Sequence, residues 1–207
     1  MIRPATADDA PFMWDMLWEA TAISDEMKAL GKATALRRPE VAKYLADWGR
    51  PGDAGCLYLN DRNEPVGSAW YRIFPRENPG YGFVDDGIPE LTIGVLESAR
   101  GEGAGSAMLE HLLDVARRKG YAAVSLSVDR DNPARRLYER YGFVDAGVSQ
   151  DTDSSVTLVI RWDAEASDEL TASSQAAIAT HSSIATQRRM DDDACPLSVT
   201  GRAAGRI

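Results

Sequence analysis

The chain is predicted to adopt an α/β fold, more narrowly an α+β arrangement in which a mixed, mostly antiparallel central sheet contains one parallel β-α-β unit. Two observations predict it. The strand-like run 90–96 passes through Arg100-Gly101-Glu102-Gly103-Ala104-Gly105 into the helix-like run 106–119 and then the strand-like run 121–128, a right-handed crossover between parallel strands. Upstream, the runs 54–60 and 66–74 flank Asp61-Arg62-Asn63-Glu64-Pro65, a hairpin-like turn that makes those two strands antiparallel.

In chain order, residues 1–5 read as a short extended segment, and Thr6 as a helix N-cap followed by Asp8 and Asp9, whose charges suit a helix N-terminus. Met13, Trp14, Leu17 and Trp18 recur at helical spacing and predict one buried stripe. Residues 21–48 read as a second helical region, broken near Gly31 and Pro39, with Tyr44, Leu45 and Trp48 on one face. In the second hairpin strand, Trp70 and Tyr71 fall on opposite faces because strand side chains alternate. Residues 75–89, with Pro75, Pro79, Gly80, Gly82 and Pro89, form a loop that is either a lid or binding loop or a plain connection. The helix after the glycine segment buries Met108, Leu109, Leu112, Leu113, Val115 and Ala116 and ends at Gly120, after Arg117-Arg118-Lys119. Asp131-Asn132-Pro133 starts a last helix that ends at Gly142, and 143–148 and 156–162 read as two final strands.

All 16 aromatic residues fall at or before Trp162. The segment 164–207 is rich in Ala, Ser and Thr and buries too little apolar surface to offset the entropy of ordering. The organisation expected is therefore a folded domain over 1–163 and a disordered tail over 164–207. The formal net charge of −9 resides mainly in the folded part and argues against non-specific nucleic-acid binding, where phosphate neutralisation supplies most of the affinity. It suits a cationic substrate, and equally a merely soluble acidic protein. Cys56 and Cys195 suggest neither a disulfide framework nor a metal site, and with His111 and His181 the only histidines, no metal is expected. Asp8, Asp9, Asp15 and Glu19 are foreign to a signal peptide, and no apolar run approaches the ~20 residues of a membrane span, so a cytoplasmic protein without membrane association is expected.

The glycine segment is the chemical centre of the sequence. Glycine tolerates positive φ, so several N–H groups can converge at a helix N-terminus, where the macrodipole favours an anion such as phosphate or pyrophosphate. A phosphate-gripping P-loop needs Gly-Lys-Ser/Thr, but Gly105 is followed by Ser106 and Ala107. A dinucleotide fingerprint fails in both frames, since the sixth position is Ser106 or Met108; Asp129 alone keeps a nicotinamide-binding reading open.

Arg100-x-x-Gly103-x-Gly105 resembles the R/Q-x-x-G-x-G/A acyl-CoA pyrophosphate motif of the GCN5-related N-acetyltransferases. Asn132-Pro133-Ala134-Arg135-Arg136-Leu137-Tyr138-Glu139-Arg140-Tyr141-Gly142-Phe143 resembles the second signature of that superfamily. The resemblance implies acetyl-CoA as cosubstrate and acetyl transfer to a primary amine of a small molecule or a protein, by direct attack in a ternary complex. It implies that Arg100 and the N–H groups of Gly101, Gly103, Ala104, Gly105 and Ser106 hold the pyrophosphate, and that main-chain groups of Ile93 and Val95 hold the pantetheine arm. The N–H of Val95 is also the implied oxyanion donor. Asn132 either bonds the arm or caps its helix; Arg135, Arg136 and Arg140 either approach the remaining phosphate or are solvated. Tyr138 matches the tyrosine that protonates the departing thiolate, the alternative being a core aromatic. Glu90 is the best-placed acid to deprotonate the amine, through water, the alternative being a strand-end charge. Asp25, Glu26, Asp85 and Asp86 add negative charge that would suit a cationic acceptor. A non-catalytic acyl-CoA sensor with the same fold is the alternative reading, and the assembly state, including a homodimer, is open. Cys56 has no histidine near it in sequence, so an acyl-cysteine intermediate is not expected.

Overall fold

A computed structural model describes residues 1–21, 25–149 and 154–162. The segment 164–207, predicted to be a tail, lies outside the described residues, as do the side chains of Asp25 and Glu26. The strands are β1 (Ile2–Pro4), β2 (Ala54–Leu59), β3 (Pro65–Arg72), β4 (Glu90–Val95), β5 (Ala123–Asp129), β6 (Val144–Asp145) and β7 (Ser155–Arg161). The helices are α1 (Ala10–Thr21), α2 (Asp25–Leu30), α3 (Lys32–Ala35), α4 (Pro39–Ala42), α5 (Ala104–Arg118) and α6 (Arg135–Arg140). The seven strands form one sheet in the order β1-β2-β3-β4-β5-β7-β6. Every neighbouring pair is antiparallel except β4 and β5. The predicted mixed, mostly antiparallel sheet with one β-α-β crossover is the fold observed.

The alternation of β3 divides the core. Tyr71 joins Leu91, Leu126, Val128 and Leu158 under the apolar face of α5, where Met108, Leu109, Leu112, Leu113 and Ala116 are buried as expected and Val115 is only half-buried. Each fully buried Leu or Met there contributes about 1.5–3 kcal/mol. On the opposite face Trp70 and Phe74 pack against α1 and against Val41, Tyr44 and Leu45. The α1 stripe differs from the expected one: Met13, Met16 and Leu17 are buried, whereas Trp14 and Trp18 are half-buried at its margins. Gly94 allows this packing, since a Cβ there would lie 2.1 Å from the carbonyl oxygen of Met16. Upstream, the carboxylate of Asp9 accepts bonds from Thr6 N and Oγ1 at 2.8 and 2.9 Å, which closes the entry to α1.

The second helical region, expected to break near Gly31 and Pro39, consists of the three short helices α2, α3 and α4. Gly31, at φ +74°, separates α2 from α3, and Pro39 opens α4. The segment after α4 is held to the sheet by Arg72, which is 1 % exposed. Its Nε and Nη2 donate to Asp53 at 3.0 and 2.7 Å, and its Nη1 donates to the carbonyls of Lys43 and Ala46 at 2.8 Å each. This ion pair, satisfied on all sides, fixes Tyr44 beside β4. Among the described residues, no helix is long and apolar enough to cross a membrane.

Candidate active site

The site forms where β4 and β5 part. Their registered pairing consists of Glu90 opposite Ser125, with Ser125 N donating to the carbonyl of Pro89 at 3.0 Å. Beyond that point β4 remains paired only with β3. Leu96 N donates to Val66 O, so the alternate residues Ile93 and Val95 turn their main-chain groups away from β3, towards the gap. The two residues expected to hold an extended ligand arm by backbone bonds thus turn main-chain groups to the gap, the Val95 carbonyl already accepting from Arg100 Nε at 3.2 Å. The strand from Glu90 to Val95 runs roughly 17 Å along the gap.

At the far end lies the glycine segment. Gly101 and Gly103 sit at φ +83° and +86°, and a Cβ at either would meet nothing, so glycine is required there by backbone conformation. Gly103 is the N-cap of the 15-residue α5. Among the described residues, none of the N–H groups from Gly101 to Ser106 has a hydrogen-bond acceptor; the first to find one is Ala107 N, bonded to Gly103 O at 3.0 Å. Unpaired donors and the helix dipole give this end of α5 a positive potential suited to an anion. Arg100 is engaged locally: its Nη2 pairs with Glu19 at 2.8 Å and its Nε donates to Val95 O at 3.2 Å. To serve a pyrophosphate it has to exchange these partners.

α6 closes the same end. Asn132 Oδ1 accepts from Ala134 N at 2.9 Å in a side-chain turn, and α6 begins at Arg135 with Ala134 as its N-cap. Leu137 lies 3.7 Å from where a Cβ on Gly105 would sit, and Tyr141 Oη donates to Ser106 O at 3.4 Å, so α6 docks against the start of α5. Tyr138 is half-buried against the α5-side core, its ring edge-on to Phe143 at 5.9 Å. Its hydroxyl makes no hydrogen bond among the described residues, and burial pushes the phenol up to about 12. Arg130, Arg135 and Arg136 line a shallow cavity of about 470 Å³ with Asn132 at the start of α6.

Glu90 lies at the apex of the gap and is 3 % exposed. Its Oε1 accepts from Tyr44 Oη at 2.6 Å and Gly82 N at 2.8 Å, and Tyr44 Oη in turn accepts from Tyr81 N at 2.6 Å. The loop of residues 75–89 lies directly over this group, as two glycines permit. A Cβ on Gly80 would fall 2.0 Å from Glu90 Oε2, and one on Gly82 would fall 2.5 Å from the backbone of Leu126. Burial pushes the Glu90 carboxyl up to about 7, against the opposing pull of Tyr44, Gly82 N–H and the Lys43 charge. The Tyr44 phenol is driven well above its ordinary range, first by burial and then by the charge of Glu90. Glu90 is therefore an enclosed acid tuned near neutrality rather than a strand-end surface charge.

Sequence reasoning missed Tyr44, Gly80, Tyr81 and Gly82 as partners of Glu90. Tyr44 lies 46 residues from Glu90, and nothing local marks the pairing. The charge expected of Asp85 and Asp86 is partly offset, because both share the single cation of Arg76, at 2.5 and 3.4 Å. A cavity on that side, about 360 Å³, is lined by Tyr81, Phe83, Ser149, Ser155 and Thr157 among others, with no charged side chain in its wall among the described residues. Cys56 is buried, and burial pushes its thiol up to about 12, which suits a core residue and not a nucleophile.

Comparison with known proteins agrees with this architecture. Over 109 residues the chain is 35% identical to a mycothiol acetyltransferase of Paenarthrobacter aurescens (strain TC1); the match takes in 50% of this chain and 31% of that protein. The chain thus spans less than a third of the length of that curated relative. Among solved structures, a ribosomal-protein-alanine N-acetyltransferase from Brucella melitensis superposes with a TM-score of 0.56 at 24% identity, covering 78% of this chain and 99% of that one. An N-acetyltransferase from Staphylococcus aureus Mu50 gives 0.56 at 20% identity, covering 78% and 97%. At such identities these structures establish the fold alone. The model of the acetyltransferase (GNAT) family matches residues 13–143, and the chain belongs to that family.

Proposed function

We propose that this acetyltransferase-family chain moves an acetyl group from acetyl-CoA to a primary amine of a small molecule or a protein, by direct attack in a ternary complex. The observation that carries the reading is the gap between β4 and β5. It runs from a row of unpartnered N–H groups at Gly101–Ser106 to a carboxyl tuned near neutrality at Glu90. The N–H row suits the pyrophosphate, and the main-chain groups of Ile93 and Val95 suit the pantetheine arm, with Val95 N–H available to a developing oxyanion. The side-chain oxygen of Asn132 is taken by Ala134 N, which leaves its amide nitrogen for the arm.

Glu90 belongs to the α1 face of the sheet and Tyr138 packs on the α5 face. Groups on opposite faces can serve one thioester only within the gap itself. A lysine-like amine near pKa ~10.4 is mostly protonated at neutral pH and must lose a proton before it attacks. A carboxylate that titrates near neutrality is well matched to take it. Tyr138 then gives its proton to the departing thiolate. From a phenol near 12 to a thiol near ~8.5 that transfer is uphill by about 5 kcal/mol. Enclosure raises the basicity of the thiolate as well, which narrows the difference. The hydroxyl-bearing cavity beside Tyr81 and the sharing of Arg76 by Asp85 and Asp86 weaken the support for selection of the acceptor by charge.

The alternative, an acyl-CoA sensor that no longer transfers, is favoured by one observation: the enclosure of Glu90 beneath Gly80. Incubation with acetyl-CoA and a panel of amino acids, amino alcohols, amino sugars, polyamines and peptides separates the two. The transferase releases CoA in proportion to acetylated amine for at least one acceptor. Saturable acetyl-CoA binding without turnover across the panel would leave the sensor.

A further inference from the structure

Among the described residues, four buried side-chain polar atoms make no hydrogen bond: Tyr71 Oη, Glu90 Oε2, Ser125 Oγ and Trp162 Nε1. Two of the four occupy directly opposed positions, since Glu90 and Ser125 are the registered pair of β4 and β5. Residues in register on neighbouring strands share a face of the sheet, with the strands ~4.8 Å apart. Ser125 is fully buried and Glu90 nearly so. An acceptor and a hydroxyl that lie side by side, both enclosed and neither bonded to the other, match the polar, confined setting in which a bridging water is held.

The rest of β5 fits this role. Val124, Leu126 and Val128 enter the core under α5, so Ser125 and Ser127 lie on the other face, beneath the loop of residues 75–89. Ser127 is in register with Thr157 of β7, and Thr157 lines the 360 Å³ cavity beside Tyr81 and Phe83. A row of hydroxyls therefore leads from Glu90 to that cavity. Sheet faces covered by protein are ordinarily apolar, as the other face of β5 is.

We propose that Ser125 is a positioning residue: with Glu90 Oε2 it holds one water that carries the acceptor's proton to Glu90. The ammonium N–H bond breaks as its proton passes to this water, and a proton of the water passes to Oε2, leaving a neutral amine and a protonated Glu90. The inference rests on Glu90 as the base. The other groups facing Glu90 are fixed. Tyr44 and Gly82 N occupy Oε1, and Lys43 precedes Tyr44 on the segment after α4, its ammonium donating to the Pro79 carbonyl. Arg72, the β3 neighbour of Glu90, is held by both oxygens of Asp53; α1 presents Met13, Met16 and Leu17.

Ser125→Ala in the full chain, with ¹³C-glutamate labelling, tests it. Glu90→Gln identifies the Glu90 resonance. Loss of a donor to the carboxylate is expected to raise the Glu90 titration midpoint by about one pH unit. The acidic limb of kcat/KM is expected to move up equally, with KM for acetyl-CoA within about twofold of the parent. Ser125→Cys, similar in volume but a weak donor, should shift both by a smaller amount in the same direction. An unmoved midpoint in both variants overturns the bridge, while Glu90 keeps its own assignment if Glu90→Gln abolishes the acidic limb. A midpoint that moves while the limb stays in place overturns the relay and removes Glu90 as the base.

Discussion

Replacing Glu90 by glutamine should make the protein more stable and less active at the same time, with the stability gain confined to one side of a pH window. In the folded chain burial holds the Glu90 carboxyl at about 7, against 4.5 for an exposed glutamate. The unfolded chain therefore releases this proton above about pH 4.5, while the folded chain keeps it until about pH 7. The stabilising contribution is fully present below the unfolded value and is lost as pH rises through the folded one. Across that interval the loss amounts to about 3 kcal/mol, at about 1.4 kcal/mol per pH unit. Glutamine keeps an oxygen to accept from Tyr44 and Gly82 and has no charge to bury. Urea unfolding at pH 4.5 and pH 8 should give nearly equal free energies for the two proteins at the lower pH. At pH 8 Glu90→Gln should be the more stable by about 3 kcal/mol. Equal stability at both values, or a variant weakened at both, would refute the reasoning that Glu90 is an enclosed and strained acid.

Other consequences follow from the same geometry. Gly103→Ala places a Cβ in open space but a side-chain-bearing residue at φ +86°, so a stability loss of about 1–2 kcal/mol, or a raised KM for acetyl-CoA, is expected in parallel melting and kinetic measurements. Asp53→Asn strips the charge partner from a guanidinium that is 1 % exposed, and chemical denaturation should show a loss of about 3–5 kcal/mol, with Tyr44 released from its place. Gly94→Ala drives a methyl group into the carbonyl of Met16, where backbone and not a flexible side chain has to move; a loss of at least about 1–3 kcal/mol is expected, together with displaced α1 resonances in NMR spectra.

The parts of this molecule written in local sequence were readable from it, and the parts made by distant pairs were not. The crossover from β4 through α5 to β5 follows from apolar periodicity and from glycines that occupy positive φ at Gly101, Gly103 and Gly120. Trp70 and Tyr71 fall on opposite faces because a strand alternates, and they enter separate core clusters as expected. The α1 stripe was displaced by one residue at its centre: Met16 is buried because β4 carries Gly94 beneath it, a contact that the α1 sequence does not contain. The expected negative face at Asp85 and Asp86 was altered by Arg76, nine and ten residues earlier, once the loop folded back on itself. The environment of Glu90 was the least legible. It depends on Tyr44, on Gly80 and Gly82, and on Ser125, which meet only when the hairpin, the crossover and the loop are assembled. One signal was present and unread: the alternation Val124-Ser125-Leu126-Ser127-Val128-Asp129, a strand with one apolar and one hydroxyl face, both of which the fold covers at Ser125.

The central claim, that an acetyl group passes directly from a CoA thioester to an amine with Tyr138 supplying the leaving-group proton, is tested most directly by CoA release from Tyr138→Phe. With the best acceptor of the panel, kcat should fall by about 10²-fold or more, the range of a lost general acid, while KM for acetyl-CoA stays within about twofold. The Phe ring keeps the packing against Phe143, and the Tyr138 hydroxyl has no protein partner to lose among the described residues. A parent-like kcat in Tyr138→Phe would contradict the account.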